Sequence, residues 1–262
     1  MVNNLCIEAI EAFDDKYIWL LTREGSNACA VVDPGDEEPV IEVLQSRGLT
    51  LKSILITHKH YDHIGGVSGL KQLWPQVIVF GPGNEGIKVI DVVVDDGDAV
   101  AIPALSANFE VLSVPGHTEG HVAYFDGDHL FCGDTLFAGG CGRVFSGTFA
   151  QMTQSLKRIR QLPAATRVYC AHEYTQANLG FGLWVEPDSK ALQNRRQQVD
   201  QLRQAGKFSV PSLLSEELMT NPFLRVDQPE VAAAASRWAG RDLPDEEAVF
   251  TALRQWKDRD YD

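Results

Sequence analysis

No run of apolar residues in the chain approaches the roughly 20 needed to cross a bilayer, which excludes a membrane-spanning helix. Positive charge is also short: 23 Lys and Arg stand against 36 Asp and Glu, a formal net charge of -13. A protein that tracks a nucleic-acid backbone needs a basic face, so nucleic acid is not an expected partner. Cysteine is scarce as well. Cys6, Cys29, Cys132, Cys141 and Cys170 are odd in number and include no C-x-x-C pair, which argues against a disulfide framework. Two of them sit inside apolar strand patterns, as reduced, buried thiols of a cytoplasmic protein do. The first residues, Met1-Val2-Asn3-Asn4-Leu5, lack a basic stretch followed by an apolar one, so no signal peptide is expected. What remains is a soluble enzyme or binding protein, and 262 residues suffice for one large core or two smaller ones.

Up to about Cys170 the chain interleaves β-branched runs with helical patterns. Tyr17–Leu21, Ala28–Val32, Ser53–Ile56 and Val77–Phe80 read as strands. Pro39–Arg47, Val67–Trp74 and Phe149–Leu162 read as helices, the last with Thr148 as N-cap and Pro163 as its stop. Such interleaving predicts a layered α/β domain. From about Thr175 the alternation ends, and Ala191–Ala205, Pro229–Ala239 and Asp245–Lys257 all read as helices. The expected division is therefore a domain of residues 1–174 and a smaller helical domain of residues 175–262.

Histidine is rare, yet it is concentrated. Thr57-His58-Lys59-His60-Tyr61-Asp62-His63 places three imidazoles and a carboxylate directly after the apolar run Leu51–Ile56. Imidazole nitrogen suits zinc and iron, and a carboxylate adds a charged oxygen ligand. His58 and His60 alternate on an extended backbone and so point one way, while Asp62 and His63 lie beyond the bend. That arrangement suits two adjacent metals better than one. The same pattern of strand followed by ligand recurs at Val114-Pro115-Gly116-His117, at Cys132-Gly133-Asp134-Thr135 and at Cys170-Ala171-His172-Glu173. Four such clusters predict a site assembled at one edge of a sheet scaffold. His121, where a new strand starts, is expected to play a supporting role, and His129 reads as a solvated residue of the Asp126–His129 turn. Thr57 and Glu173 are candidates for orienting imidazoles from behind.

In order along the chain, the T-H-x-H-x-D-H, P-G-H-T-x-G-H, C-G-D-T-L-F and A-H-E-Y runs resemble those of the metallo-β-lactamase fold superfamily. Within it they most resemble the hydroxyacylglutathione hydrolase (glyoxalase II) family, over nearly the whole length. The resemblance implies a four-layer αββα sandwich followed by an all-helical domain. It implies two divalent metal ions per chain, zinc before iron or manganese. One would take His58, His60 and His117; the other would take Asp62, His63 and His172, with Asp134 bridging. Asp62 and Asp134 would be the catalytic carboxylates, beside a hydroxide shared by the ions. The implied reaction is hydrolysis of S-D-lactoylglutathione to D-lactate and glutathione by a cytoplasmic monomer, in methylglyoxal detoxification.

Arg254 and Lys257 stand three apart, so one helical face presents both cations. Cations near a helix end commonly just complement its dipole, but the resemblance implies that this pair holds the glycine carboxylate of glutathione. It likewise assigns substrate contacts to Arg143 and to the hydroxyl of Tyr174. Phe145 stands where the family often has a tyrosine, which removes a hydrogen bond. A lactamase or lactonase has no use for the cationic tail, and a nuclease of this fold needs a phosphate-tracking surface. A persulfide dioxygenase of the superfamily needs only one iron. Structural zinc sites are usually cysteine-rich and closed, unlike this set of histidines and aspartates.

Overall fold

Ile18, Leu20 and Leu21 are fully buried, and the first sheet grows around the strand that carries them. The computed structural model describes residues 5–262, so the reading of the first four residues falls outside it. Two compact units make up the chain. One runs through Ser113 and includes Thr118–Gly133; the other comprises Val114–His117 and Asp134–Asp262.

In the first unit, β1 (Leu5–Ala12), β2 (Lys16–Arg23), β3 (Ala28–Val32), β4 (Thr50–Leu55), β5 (Ile78–Pro82) and β6 (Val92–Val94) form one sheet in that order. The pairs β1–β2 and β2–β3 are antiparallel, and the sheet is parallel from β3 to β6. Parallel strands are buried on both faces, which is why β3 reads as a continuous apolar run. Helix α1 (Glu38–Arg47), the single turn α2 (Tyr61–Ile64) and α3 (Val67–Leu73) follow strands of this sheet. Val40, Leu44, Val67 and Leu70 pack with Ile18, Leu20, Val31 and Ile54 in one core. The same unit carries β7 (Ala99–Ile102), β8 (Ala107–Ser113), β9 (Val122–Phe125) and β10 (His129–Gly133), paired antiparallel in the order β10-β9-β8-β7. Tyr124 of β9 donates to the Ile56 carbonyl at 2.8 Å, pinning the end of β4. Burial and the nearby Asp33 charge push its phenol well above the usual range, so it remains a donor.

His129 departs from expectation. It opens β10 rather than hanging in solvent, and its Nδ1 lies 2.9 Å from Asp126 Oδ2. Burial raises the Asp126 carboxyl, but the bonds from His129 and from two turn amides outweigh it and hold the group below the carboxylate range.

The second unit begins its regular structure with the hairpin β11 (Leu136–Phe137) and β12 (Gly140–Cys141). Then come α4 (Phe149–Arg160), β13 (Arg167–Cys170), α5 (Thr175–Val185), α6 (Lys190–Gln204), β14 (Ser212–Leu213), α7 (Leu214–Thr220), α8 (Pro229–Ala239) and α9 (Glu246–Trp256). Thr148 and Gln151 close a reciprocal capping box on α4, as the Thr148 N-cap predicted. The short β14 interrupts the helical run because it pairs with β13, satisfying backbone groups along that strand. A buried polar frame holds the hairpin loop. Glu217 accepts from the Gly139 amide at 2.8 Å, and Asn221 donates to the Gly140 carbonyl at 2.9 Å. Asn178 donates to the Ala138 carbonyl at 3.1 Å. Among the described residues, no helix is long and apolar enough to cross a membrane.

None of the five cysteines forms a disulfide, and only Cys6 is exposed. Burial pushes the thiols of Cys29 and Cys170 up to about 12 and that of Cys141 to about 11. Thiolate is the reactive form, so at pH 8 the native chain should take up one equivalent of a thiol-specific disulfide reagent, and the denatured chain five. Rapid uptake of two or more by the native chain would contradict this burial pattern.

Candidate metal centre

The loop after β4 is held by a residue that the sequence reading passed over. The parallel register sets Val32 beside Leu55, and the Asp33 amide donates to the Leu55 carbonyl at 2.9 Å. Asp33, at φ +52° and 2 % exposed, therefore lies beside Thr57. Its Oδ1 accepts from the Thr57 amide at 2.8 Å, and its Oδ2 from the Thr57 hydroxyl at 2.7 Å. The same Oδ2 lies 2.8 Å from His63 Nδ1.

These contacts orient two imidazoles. A carboxylate can only accept, so His63 Nδ1 carries a proton toward Asp33, and Nε2 points the other way, 3.2 Å from Asp62 Oδ2. The Thr57 hydroxyl has spent its hydrogen on Asp33, so at 3.0 Å it accepts from His58 Nδ1. His58 Nε2 then faces outward as well, 3.0 Å from His60 Nδ1. Thr57 thus orients His58, as expected, and one buried carboxylate sets both imidazoles. Metal-ligating histidines are commonly aimed in this way. The first turn leaves no slack: a Cβ on Gly35 would stand 1.9 Å from the Asp62 carbonyl oxygen. His121, fully buried, stacks on His58 with ring centroids 4.6 Å apart, which is the supporting role expected of it.

A second residue was also missed. Lys16 opens β2 with its side chain wholly buried, and its Nζ lies 2.6 Å from His63 Nε2 and 3.5 Å from Asp62 Oδ2.

In the second unit, His117 and His172 flank Asp134, each on a different carboxylate oxygen. His117 Nε2 lies 3.5 Å from Oδ2, and His172 Nε2 lies 3.7 Å from Oδ1. His117 Nδ1 donates to the Arg143 carbonyl at 2.7 Å, which leaves Nε2 with its lone pair toward the carboxylate. Two electron donors facing each other call for a cation between them. Two ligands each about 2.1 Å from a tetrahedral zinc stand about 3.4 Å apart, so the observed separations fit a shared ion better than a hydrogen bond. The donor set of imidazoles and carboxylates fits divalent metal ions, and Asp134 has the two-sided placement of a bridge. A Cβ on Gly142 would lie 1.9 Å from the Asp134 carbonyl oxygen, so the loop is tightly closed there too.

A cavity of about 440 Å³ in this unit is lined by His117, Asp134, Arg143, Tyr174, Arg254 and Lys257 among others. That volume is ordinary for a small-molecule site. Tyr174 stacks on His172 at 4.8 Å, and Phe145, largely exposed, sets its ring edge-on to His117 at 5.2 Å. Arg254 is 1 % exposed and donates to the Cys141 carbonyl at 2.9 Å, so it ties α9 to β12 as well as facing the cavity. The cations are not bare. Asp262 takes a 3.0 Å bond from Arg254, another from Lys257, and stands 3.4 Å from Arg143. Burial raises the Asp262 carboxyl, but the Lys257 bond and these charges together hold it below its usual range. Lys257 is lowered, chiefly by burial and then by the Arg254 charge. Glu173 accepts from Ser209 and Arg203, anchoring the chain that follows α6.

Residues 13–172 match the metallo-beta-lactamase superfamily, and residues 173–260 match the hydroxyacylglutathione hydrolase C-terminus. The α/β sheets, the His/Asp ligand set and the C-terminal helical region accordingly define a metallo-β-lactamase-fold enzyme with an added helical part. A hydroxyacylglutathione hydrolase of Photobacterium profundum is 50 % identical over 97 % of this chain and 99 % of its own length. One from Pseudomonas aeruginosa is 50 % identical over 97 % and 98 %. Among solved structures, ETHE1 from Myxococcus xanthus superposes with a TM-score of 0.66 at 25 % identity, covering 95 % of this chain and 89 % of that one. The chain belongs to the hydroxyacylglutathione hydrolase family.

Proposed function

We propose that this chain hydrolyses S-(2-hydroxyacyl)glutathione thioesters, S-D-lactoylglutathione foremost, to glutathione and the hydroxy acid. The observation that carries this reading is a single cavity lined both by metal-type ligands, His117 and Asp134, and by the cations Arg143, Arg254 and Lys257. A substrate with a carboxylate at one end and an acyl centre at the other would engage both. Residues 1–174 act as the catalytic domain and residues 175–262 as the helical domain that supplies binding groups. His58, His60 and His117 would hold one ion and Asp62, His63 and His172 the other, with Asp134 serving both; zinc suits this set, with iron and manganese accepted. Bound there, divalent ions supply a water ionised near pH 7 and a Lewis acid for the acyl oxygen.

The chain's own groups do the rest. Asp33 and Thr57 bind the Nδ1 sides of His63 and His58 and so aim their Nε2 atoms. Arg254 and Lys257 receive the glycine carboxylate, Arg143 the peptide, and Tyr174 offers a hydroxyl beside His172. Phe145 offers none, so the peptide end is held by fewer bonds. A thiol of pKa about 8.5 leaves as thiolate, so no side chain need protonate it. Five cysteines without a disulfide support a reducing, cytoplasmic setting, and the protein acts there as a monomer on a small molecule, in methylglyoxal detoxification.

The test follows loss of thioester absorbance by metal-loaded protein. Catalytic efficiency should be highest on the glutathione thioester. If a β-lactam, a lactone or a phosphodiester is turned over more efficiently, the assignment is wrong. A second outcome concerns Asp262, whose carboxylate occupies the cations that the substrate needs. Asp262→Asn should lower KM for the thioester by up to about 5-fold, the scale of a partly exposed ion pair. An unchanged or higher KM would mean that substrate does not displace it.

A further inference from the structure

Resting on the metal reading above, we infer that Lys16 is a built-in competitor for the second ion, so that this chain loads its two metal positions unequally. The two atoms that Lys16 Nζ approaches, His63 Nε2 at 2.6 Å and Asp62 Oδ2 at 3.5 Å, belong to ligands assigned to that one position. Asp33 holds a proton on His63 Nδ1, so Nε2 is the one ring nitrogen left to take a donor or a metal. It can accept from Lys16 or bind a metal, and not both at once. The Lys16 side chain is fully buried. Filling the second position therefore means breaking a short bond and moving a buried amino group aside, against the repulsion between an ammonium and the arriving cation. At the first position the contact on His58 Nε2 is His60 Nδ1, a ligand proposed for the same ion, so the bond lost there is one between two co-ligands.

The experiment is a zinc titration of the full-length apoprotein with a competing chelator, read as zinc bound per chain. Wild type should show two separated affinities and hold about one equivalent at limiting free zinc. Lys16→Met, which keeps the aliphatic stem and removes the donor, should tighten the second step by on the order of 10- to 100-fold, the worth of one charge-assisted hydrogen bond. Lys16→Arg should leave the second step weak. A second variant guards against poor folding of the first. His63→Ala should retain the wild-type zinc content at limiting free zinc, because that position is then largely empty. The inference is overturned if wild type binds two zinc ions with equal affinity, if Lys16→Met leaves the second step unchanged, or if His63→Ala loses an equivalent at limiting zinc. Thioester hydrolysis by zinc-saturated wild type is a separate reading. Its absence would sink the proposed reaction, while unequal loading would still stand or fall on the titration.

Discussion

Asp134→Ala is expected to lose metal from both positions at once and to cut turnover by more than roughly 100-fold, since even outer partners of metal ligands cost 10- to 100-fold. The expectation comes from the placement of this one carboxylate, with His117 at one oxygen and His172 at the other. Removing it leaves each histidine with a weakened site, whereas His172→Ala should empty chiefly one position. Metal content measured alongside kcat distinguishes the two. Full loading of both positions in Asp134→Ala would end the bridging role, whatever happened to activity.

The second large effect lies in the tail. Lys257→Met should raise KM for the glutathione thioester roughly 10- to 100-fold with a smaller change in kcat, the pattern for an interaction made equally in ground and transition states. A small thioester lacking the glycine carboxylate should be nearly unaffected. Arg254→Ala should also raise KM, and should lower thermal stability as well, because Arg254 is buried, bonds the Cys141 carbonyl and packs over Phe223 at 5.2 Å. Breaking a buried pair typically costs about 3–5 kcal/mol. Lys257→Met is therefore the cleaner probe, and equal losses on both substrates would reduce the pair to helix-end packing.

The ligands were legible because their chemistry is local. Three histidines and an aspartate after an apolar run announce themselves without any knowledge of what lies across the sheet. The strands and the capped α4 were legible for the same reason, since periodicity and the Thr148 cap act within a few residues. Asp33 and Lys16 were not. An aspartate before Pro34-Gly35 reads as an ordinary turn, and a lysine at a strand start as an ordinary surface cation. Only the parallel register of β3 with β4, and the burial of β2, put them on His63. Asp62 and His63 could be separated from His58 by the bend, but nothing local indicated that a lysine would share them. His129 was misread because its turn looked polar, while the partner that buries it, Asp126, is three residues away. The unit boundary was hidden too: Val114–His117 leaves β8 and joins the later residues through contacts made far along the chain.

Asp262 turns the cationic corner into an occupied seat. A tethered carboxylate competes at an effective concentration of order mM for a short, flexible connection. Free carboxylates below that level cannot hold the corner for long, so ordinary small anions of the cell are screened out. A ligand succeeds only when its carboxylate is covalently joined to a second group that finds its own anchorage deeper in the cavity. Exchanging one carboxylate for another also leaves the charge of the corner unchanged. On the proposed reading, such a corner would favour a molecule anchored at both ends over one anchored at either end alone.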